Sequence, residues 1–443
     1  MPEREFALKI TRDEAMGEHV DDLLKRQKSL RGESAGIDRG GKKVWFYQNW
    51  FVFMIAGMLG ALLAWGLLEP AFQDRIEWRG PIESLDLNAA APEGLEGQVT
   101  GKCKVRGQEI YFYREMKTVP TGKVFDLSQL SDGQEVAFYI EGGLVATYVD
   151  PHPQGAYSTG KTLDELSRAS SIAGMVLFPL VAGMVGLFIG AADGLISRLM
   201  GRALLCGGVG LVVGLIGGVF STILASLVYN LLSGWATGNT GDAVGGLSLF
   251  GFMMQVIARA LGWALAGLTM GLGQGIALRS SRLATYGLLG GVIGGLLGGL
   301  CFDPIDMLLL GSDGQVSAHL SRGVGIGVIG AVVGFTIGIV ELLARDSWLQ
   351  MLKGPLTGKE FLLYKDTMVL GSSPKCDIYL FSDDQVLPMH GQMRSVGEET
   401  EIESLDSQNP VLVNGRPVTK CRLNGGDQIT IGKTVFSYRK KNR

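Results

Sequence analysis

The sequence predicts a multi-domain membrane protein, with an α-helical polytopic bundle of about six transmembrane helices, a small extracytoplasmic β-barrel-like domain and a C-terminal β-sandwich. Apolar runs long enough to cross a bilayer as helices occur once near the N-terminus and repeatedly between residues 169 and 342. Short alternating segments bounded by Gly, Asn and Asp lie after the first run and again after the last, and they predict strands.

Residues 1–43 form a polar cytoplasmic arm in this prediction, because they carry charges of both signs and no long apolar run. Residues 44–69 follow as the first transmembrane helix. It opens with Trp45-Phe46-Tyr47, aromatic side chains that suit the headgroup level of a bilayer. A cleaved signal peptide fits poorly, since the apolar stretch starts late and is longer than the apolar core of such a leader.

Residues 70–168 are expected to form an extracytoplasmic domain with a small OB-like β-barrel. Short alternating segments from Gly97 to Val149 predict five or six strands. The ending from Asp132 to Val149 resembles the last strands of OB-fold and cold-shock-like domains. The aromatic run Tyr111-Phe112-Tyr113 could stack bases, but a folded core or a protein surface is the expected role outside the cytoplasm. No nucleic-acid partner is predicted.

The segment from Gly155 to Thr162 matches the P-loop pattern G-x4-G-K-[ST]. A working P-loop needs a strand that leads directly into the loop, a helix that starts at its lysine, and a parallel sheet that supplies an Asp for magnesium. Here residues 150–154 separate the last predicted strand from Gly155, and no doubly wound pattern exists. Thr162 with Glu165 instead indicates a helix cap, so no nucleotide or other cofactor is predicted.

Residues 169–342 supply five further transmembrane helices. Their apolar runs do not alternate in polarity, so helices are predicted rather than barrel strands. Glycines recur every three or four residues, and similar runs follow one another in the order A, B, A, B, A. The A-type glycines are Gly267, Gly271 and Gly275, matched by Gly330, Gly334 and Gly338, with Gly186 and Gly190 in the places of Gly271 and Gly275; the B-type glycines are Gly207, Gly210 and Gly214, matched by Gly291, Gly294 and Gly298. Close helix packing and oligomerisation through these glycine faces are predicted, with a glycine-lined pore or groove as the alternative.

The basic residues place both termini in the cytoplasm. Positive charges before the first span and after the second, fourth and sixth fall on one side: Arg31, Arg39, Lys42, Lys43, Arg198, Arg202, Arg279, Arg282, Arg345 and Lys353. By the positive-inside rule this side is the cytoplasm, and residues 70–168 lie outside. The predicted location is a bacterial inner (cytoplasmic) membrane, with membrane lipid as a partner.

Arg259 interrupts the apolar sequence between Ala243 and Leu278. If the fourth span starts at Ala260, the guanidinium lies at the outer interface of the membrane. If the span starts earlier, the charge is intramembrane and becomes a functional candidate. The sequence leaves both placements open.

A linker over residues 343–359 and a β-sandwich over residues 360–443 complete the chain. The sandwich carries four blocks: Gly371-Ser-Ser-Pro-Lys-Cys-Asp-Ile-Tyr-Leu380, Val386-Leu-Pro-Met-His390-Gly, Leu405-Asp-Ser-Gln-Asn409-Pro-Val-Leu-Val-Asn-Gly415 and Leu423-Asn-Gly-Gly-Asp-Gln-Ile-Thr-Ile-Gly432. In this order they resemble a forkhead-associated (FHA) domain. The resemblance implies a β-sandwich whose loops at one end recognise phosphothreonine in partner proteins.

The same resemblance implies the site residues. The implied peptide-binding residues are Ser372, Ser373, Lys375, Gln408 and Asn409, and the implied structural residues are Gly371, His390, Asn414 and Gly415. The family places an Arg directly after the first glycine and a Ser at the start of the second block, where this chain has Ser372 and Leu387. Because a phosphate dianion needs charge-assisted donors, two alternatives stay open: a phosphorylated partner held by Ser372, Ser373 and Lys375, or an unmodified partner.

The predicted function is therefore that of an integral membrane protein that displays a cytoplasmic FHA-like module and acts in signalling or assembly through a cytoplasmic protein or phosphoprotein. The alternative is a channel or transporter subunit formed by the glycine-rich hairpins. No enzyme is predicted, because the four histidines lie in separate segments and no catalytic constellation is visible. The five cysteines show no metal-ligand spacing, so no metal site is predicted.

Overall fold

The structure is a computed structural model that describes residues 47–72, 76–90, 99–119, 121, 123–140, 145–155, 163–239, 249–310, 318–397 and 399–441. The polar arm and the Gly160-Lys161-Thr162 part of the P-loop pattern lie outside the described residues. The chain divides into two units. Unit 1 comprises Met1–Ala61, Ala182–Phe302 and Gly327–Arg443, and unit 2 comprises Leu62–Val181 and Asp303–Ile326.

Seven α-helices occur among the described residues: α1 (Asn49–Leu68), α2 (Leu163–Ile196), α3 (Met200–Asn239), α4 (Leu249–Met270), α5 (Leu272–Ala277), α6 (Ser281–Leu310) and α7 (Ala318–Ala344). Their apolar parts give six candidate membrane spans, since α4 and α5 together form one. The prediction of about six apolar helices of spanning length is confirmed. Length and the absence of alternation were sufficient signals because a lipid-exposed backbone must satisfy its own hydrogen bonds.

Glycines bring the helices of unit 1 into backbone contact. A Cβ atom on Gly57 would overlap the carbonyl of Gly330, and Gly186 and Gly210 exclude a Cβ from each other in the same way. Gly267 and Gly291 form a third such pair. The glycines at these positions therefore allow close helix packing, which is the main source of association between helices in lipid.

Arg259 lies in α4, near the start of the candidate span Val256–Ala277. Its guanidinium carbon is 4.8 Å from the ring centroid of Phe302, the last residue of the candidate span Ser281–Phe302. The side chain is half-buried. The helix does not begin at Ala260, but Arg259 stays at the ends of two neighbouring spans, where a long side chain can reach the interface.

Unit 2 contains a five-stranded closed barrel with the strand order β1-β2-β3-β5-β4. The strands are β1 (Ile76–Asp86), β2 (Val99–Val105), β3 (Gln108–Thr118), β4 (Glu135–Ile140) and β5 (Val145–Asp150). Antiparallel pairs join all neighbours except β3 and β5, which are parallel. Within the aromatic run, Phe112 is fully buried in the barrel core and stacks near Phe138, while Tyr111 and Tyr113 are half-buried on the other face.

Two strand predictions in this domain differ from the structure. No strand is predicted before Gly97, because Gly80 and Pro81 look like a turn. In the structure β1 spans Ile76–Asp86 and buries Trp78 and Ile82 in the core. The alternation also predicts a strand at Lys123–Asp126, but this segment forms only an isolated bridge between Val124 and Lys117.

Eleven short strands form the C-terminal sandwich: β6 (Ser347–Lys353), β7 (Glu360–Leu362), β8 (Thr367–Gly371), β9 (Ile378–Tyr379), β10 (Gly391–Val396), β11 (Glu399–Ser404), β12 (Val411–Val413), β13 (Arg416–Val418), β14 (Lys420–Leu423), β15 (Gln428–Ile431) and β16 (Thr434–Lys440). One sheet has the order β14-β11-β10-β8-β9 and the other β13-β12-β15-β16-β6-β7. The segment 343–359 is not the expected linker: β6 pairs with β16 and buries Leu349 and Met351 in the core. Only Arg345 and Asp346 separate it from α7.

Candidate functional site

Two loops of the C-terminal sandwich carry the five residues expected to bind a peptide. Ser372, Ser373 and Lys375 lie between β8 and β9, and Gln408 and Asn409 lie between β11 and β12. The two serines are half-buried, whereas the side chains of Lys375, Gln408 and Asn409 are exposed. The loops therefore present hydroxyl, ammonium and amide groups to solvent.

His390 joins these loops from the inside. Its Nδ1 accepts a hydrogen bond from the Leu387 N–H at 3.2 Å, its own N–H donates to the Leu370 carbonyl at 2.9 Å, and its carbonyl accepts from Leu405 N–H at 3.0 Å. Burial lowers the pKa of His390, although the backbone of Asn409 and the carboxylate of Asp406 oppose that shift. The backbone of His390 thus joins β8 to the β11–β12 loop, while its buried imidazole braces the β9–β10 loop that contains it.

Gly371 lets the first two of these loops approach closely. A Cβ at this position would overlap the Pro388 carbonyl oxygen. Directly after it, the Ser372 N–H donates to the Leu387 carbonyl at 2.9 Å and the Ser373 N–H donates to Pro388 at 3.2 Å. The glycine is therefore required by backbone proximity, and the two serine N–H groups are already used within the protein.

Asn414 and Gly415 shape the turn between β12 and β13. Both have positive φ angles, 51° and 78°. The Asn414 side chain accepts from the Gln428 N–H at 2.9 Å and donates to Asp427 Oδ1 at 2.8 Å. This turn is thereby fastened to the β14–β15 turn and belongs to the scaffold.

The electrostatics of the loops bear on phosphate recognition. Lys375 is the one basic residue among the five, and it is exposed. Leu387 presents a half-buried apolar side chain where the family pattern has a serine. The arrangement offers one ammonium and several neutral donors, which is a weak cradle for a dianion because a strong one combines several charge-assisted hydrogen bonds. Among the described residues, no group of three or more His, Cys, Asp or Glu could hold a metal ion.

Comparison with known proteins identifies the sandwich. Residues 350–442 match the family described as inner membrane component of T3SS, cytoplasmic domain. The oxoglutarate dehydrogenase inhibitor of Corynebacterium jeikeium is 38% identical over 95 residues, which is 21% of this chain and 65% of that protein. The glycogen accumulation regulator GarA of Mycolicibacterium smegmatis is 38% identical over 100 residues, 23% of this chain and 63% of that protein. The matched segment thus spans less than two thirds of these two relatives.

A third relative, the oxoglutarate dehydrogenase inhibitor of Corynebacterium efficiens, is 35% identical over 96 residues, and the match covers 67% of its length. The solved FHA domain of the CT664 protein from Chlamydia trachomatis is 29% identical, with a TM-score of 0.21, and covers 22% of this chain and all of that one. The chain is an FHA-domain protein. Its FHA domain follows a set of helices long and apolar enough to cross a membrane.

The FHA domain contacts the ends of the unit 1 helices through charged side chains that the sequence reasoning missed. Lys359 is 2% exposed, and its ammonium lies 2.9 Å from Asp193 Oδ1 and 2.6 Å from Ser197 Oγ at the end of α2. Arg202 of α3 lies 3.3 Å from Asp193 Oδ2 and donates to the Asp377 carbonyl at 3.3 Å. In the sequence Asp193 directly follows an apolar run, and an acid at the end of a span is itself a signal of a functional contact.

A cavity of about 40 Å³ lies beside these contacts. It is lined by residues that include Asn49, Asp193, Arg202, Glu341 and Tyr364. The Tyr364 hydroxyl is buried and has no hydrogen-bond partner among the described residues, and burial raises its pKa to about 12. Apolar contacts continue the interface, because Leu283 of α6 belongs to the same core cluster as the FHA strands.

Proposed function

We propose that this protein is an integral membrane protein of the bacterial inner membrane that presents its FHA domain to the cytoplasm and recruits a partner protein there, in signalling or assembly. The observation that carries the proposal is the short junction between α7 and β6, which consists of Arg345 and Asp346 alone. A domain joined in this way stays at the membrane, so its loops select partners that come to the membrane. The basic residues at the helix ends support the cytoplasmic placement.

The proposed ligand is a segment of the partner protein bound across the loops that carry Ser372, Ser373, Lys375, Gln408 and Asn409. Recognition that depends little on phosphate is favoured, because Lys375 is the one cation among these residues and Leu387 replaces a hydroxyl donor. Phosphothreonine recognition is the second candidate, supported by the exposed Lys375 ammonium beside two serines. A transport pathway has less support, since the glycines of unit 1 meet neighbouring backbones.

The barrel is proposed to be an OB-like domain outside the cytoplasm. Its support is the closed order β1-β2-β3-β5-β4 with a parallel β3–β5 pair. The burial of Phe112 in the core leaves the aromatic run without a continuous exposed face for stacking bases. Its role is therefore proposed to be contact with protein or the cell envelope.

The test uses the full chain in lipid nanodiscs, probed with an array of threonine peptides in phosphorylated and plain forms. We expect Lys375→Ala and Asn409→Ala to weaken capture, with the exposed Lys440→Ala as the matched control. Equal capture of both forms supports phosphate-independent recognition, and capture of the phosphorylated form alone supports the second candidate. Capture that neither variant changes would contradict the proposed site.

Topology is tested separately on sealed vesicles. Protease added to inside-out vesicles should remove the FHA domain, and protease added to right-side-out vesicles should leave it intact. The opposite pattern would contradict a cytoplasmic FHA domain, whatever the peptide array shows.

A further inference from the structure

The helices of unit 1 pack as three pairs with the same internal register. In the first pair, Gly186, Gly190 and Gly194 of α2 contact Gly210, Cys206 and Ala203 of α3. Adding 81 to each number gives the second pair, in which Gly267 of α4, Gly271 between α4 and α5, and Gly275 of α5 contact Gly291, Gly287 and Ala284 of α6. The turns between the paired helices are related by the same offset of 81 residues, since Arg198 and Arg279 both have a positive φ, 56° and 51°.

The third pair joins the two ends of the membrane region. Gly330, Gly334 and Gly338 of α7 contact Gly57, Phe53 and Trp50 of α1. These α7 glycines follow those of the second pair by 63, and their α1 partners keep the same spacing of four and three residues. The first span therefore completes a third copy of one helix pair.

This register makes positions at the ends of the pairs equivalent. Arg202, Leu283 and Asn49 correspond to one another, and so do Ser197, Leu278 and Glu341, while Asp193 corresponds to Gln274. Except for Leu278, which packs against the FHA core cluster, all of these residues line the cavity beneath the FHA domain. The cavity thus lies where the three pairs converge.

The three copies meet the FHA domain with different chemistry. The first copy is ionic, because Asp193 and Ser197 hold the Lys359 ammonium and Arg202 reaches the Asp377 carbonyl. The second copy makes uncharged contacts: it contributes Leu278 and Leu283 to the FHA core cluster, and the Ser280 hydroxyl donates to the Tyr364 carbonyl at 3.5 Å. In the third copy, the Asn49 amide donates to Glu341 within the bundle.

From this difference we infer that the Asp193–Lys359 pair is an orientation key for the FHA domain. Each pair packs against the other two, through Gly60 on Met184, Gly273 on Gly210 and Gly290 on Ile337. Three similar pairs arranged in this way offer a docked domain three alternative settings, and the two-residue junction after α7 fixes one point only. Turned toward the second copy, Lys359 would meet Leu278 and Gln274 and lose its carboxylate, which a buried ammonium cannot tolerate. Buried ion pairs are best attested in setting register rather than in adding stability.

The orientation of the FHA domain also determines which way the proposed recognition loops face. Only this last point rests on the proposed function. Arg202 bonds to the Asp377 carbonyl in the same β8–β9 connection that carries Ser372, Ser373 and Lys375. The key therefore positions the recognition loops relative to the bundle. Asp193, Arg202 and Lys359 are positioning residues and need not touch the partner.

The test measures orientation on the full chain in nanodiscs. Cys301 is exposed and Cys421 is half-buried, whereas Cys103, Cys206 and Cys376 are buried, so native Cys301 and Cys421 accept a spin label pair. Pulsed electron paramagnetic resonance should show one narrow distribution of the distance between the two spin labels in the unsubstituted chain. We expect Lys359→Met to broaden or split it, the exchange Asp193→Lys with Lys359→Asp to restore it, and Lys433→Met, a control on an exposed ion pair, to leave it unchanged.

Hydrogen exchange distinguishes loss of the orientation key from misfolding of the FHA domain. In Lys359→Met, amides of residues 359–366 and 376–381 should exchange at least about tenfold faster while those of β12 and β15 keep their rates. An unchanged distance distribution, or faster exchange throughout the FHA domain that the exchanged pair does not correct, would overturn the inference. Peptide capture is not part of this readout, so a failed recognition function leaves the result interpretable.

Discussion

The two β domains of this chain treat their strand edges in opposite ways. In the barrel, β1 pairs with β2 on one side and with β4 on the other, so the sheet closes on itself. The FHA sandwich is open and ends in four edge strands, β7 and β9 on one side and β13 and β14 on the other. A closed sheet needs no cover, whereas an open edge invites pairing with other chains unless it is protected.

The open edges of the FHA domain are themselves protected by different means. Strands β13 and β14 carry Pro417 and the exposed residues Arg416, Lys420 and Arg422, which discourage pairing. Strands β7 and β9 are short and contain the buried Phe361 and Ile378. These two apolar edge residues line the cavity together with Leu283 from α6. The FHA domain of this protein therefore relies on the helix bundle for an edge that a free domain would have to protect alone.

The largest expected loss of stability comes from truncating one large core side chain in each β domain. Phe112 in the barrel and Phe436 in the FHA domain are both fully buried. Phe112→Ala and Phe436→Ala should each cost about 3–5 kcal/mol, because each leaves a cavity. Domain-resolved hydrogen exchange should show the loss in the substituted domain alone, and a Phe112→Ala chain with loosened FHA strands would break the distinction.

A smaller loss of stability should follow from removing a helix side chain that covers the edge strands β7 and β9. Leu283→Ala removes a buried contact from α6 and should cost about 2–4 kcal/mol. Faster exchange is expected at β7 and β9 but not at β13 and β14. The matched control is Leu289→Ala on the same helix, where the side chain is 48% exposed. Equal acceleration at both edges would show that the bundle does not cover one of them selectively.

The pH dependence of the FHA domain should be smaller again. Burial lowers the pKa of His390 below 6.5, so the unfolded chain binds this proton at a higher pH than the folded domain does. Stability therefore falls as the pH drops below the unfolded value, by at most about 1.4 kcal/mol per pH unit. Urea unfolding of the FHA signal between pH 7 and 5 measures the fall, and a His390→Gln chain that retains it would refute the assignment.

A substitution in the edge strand β13 should cause the smallest change in stability. Pro417→Thr adds an N–H group to β13 and should alter the unfolding free energy by less than about 0.5 kcal/mol. Self-association should nevertheless increase with concentration in sedimentation experiments, because the edge becomes able to pair. An unchanged association state would show that the charges of β14 protect this edge without help from Pro417.

Much of the fold could be predicted because its signals are local. Apolar run length predicted the six candidate spans, and the ordered blocks from Gly371 to Gly432 indicated the FHA domain. Strand β6 was missed because it follows the last span after two residues and looks like its continuation. Strand β1 was missed because Gly80 and Pro81 interrupt the pattern. The close approach of the Val105 and Arg106 side chains to Gly80 accounts for that glycine, and this contact is visible only in the folded structure.

The site was less accessible to sequence reasoning because it depends on contacts between distant segments. The loop residues could be named from the FHA pattern, but nothing in the sequence joins Lys359 to Asp193, which lies in another helix far along the chain. The glycine repeat was also misaligned in its first copy. Spacing alone matched Gly186 with Gly271, whereas the contacts match it with Gly267, one helical turn away.

The pairing of α1 with α7 has a consequence for how the protein is made. The other two pairs join neighbouring helices, so each can form as soon as the ribosome releases it. The glycine face of α1 must instead wait, in lipid or beside an insertion factor, until translation has delivered almost the entire membrane region. A chain that stops before α7 would leave that face vacant, a mark by which quality-control proteases could distinguish an unfinished product from a mature one.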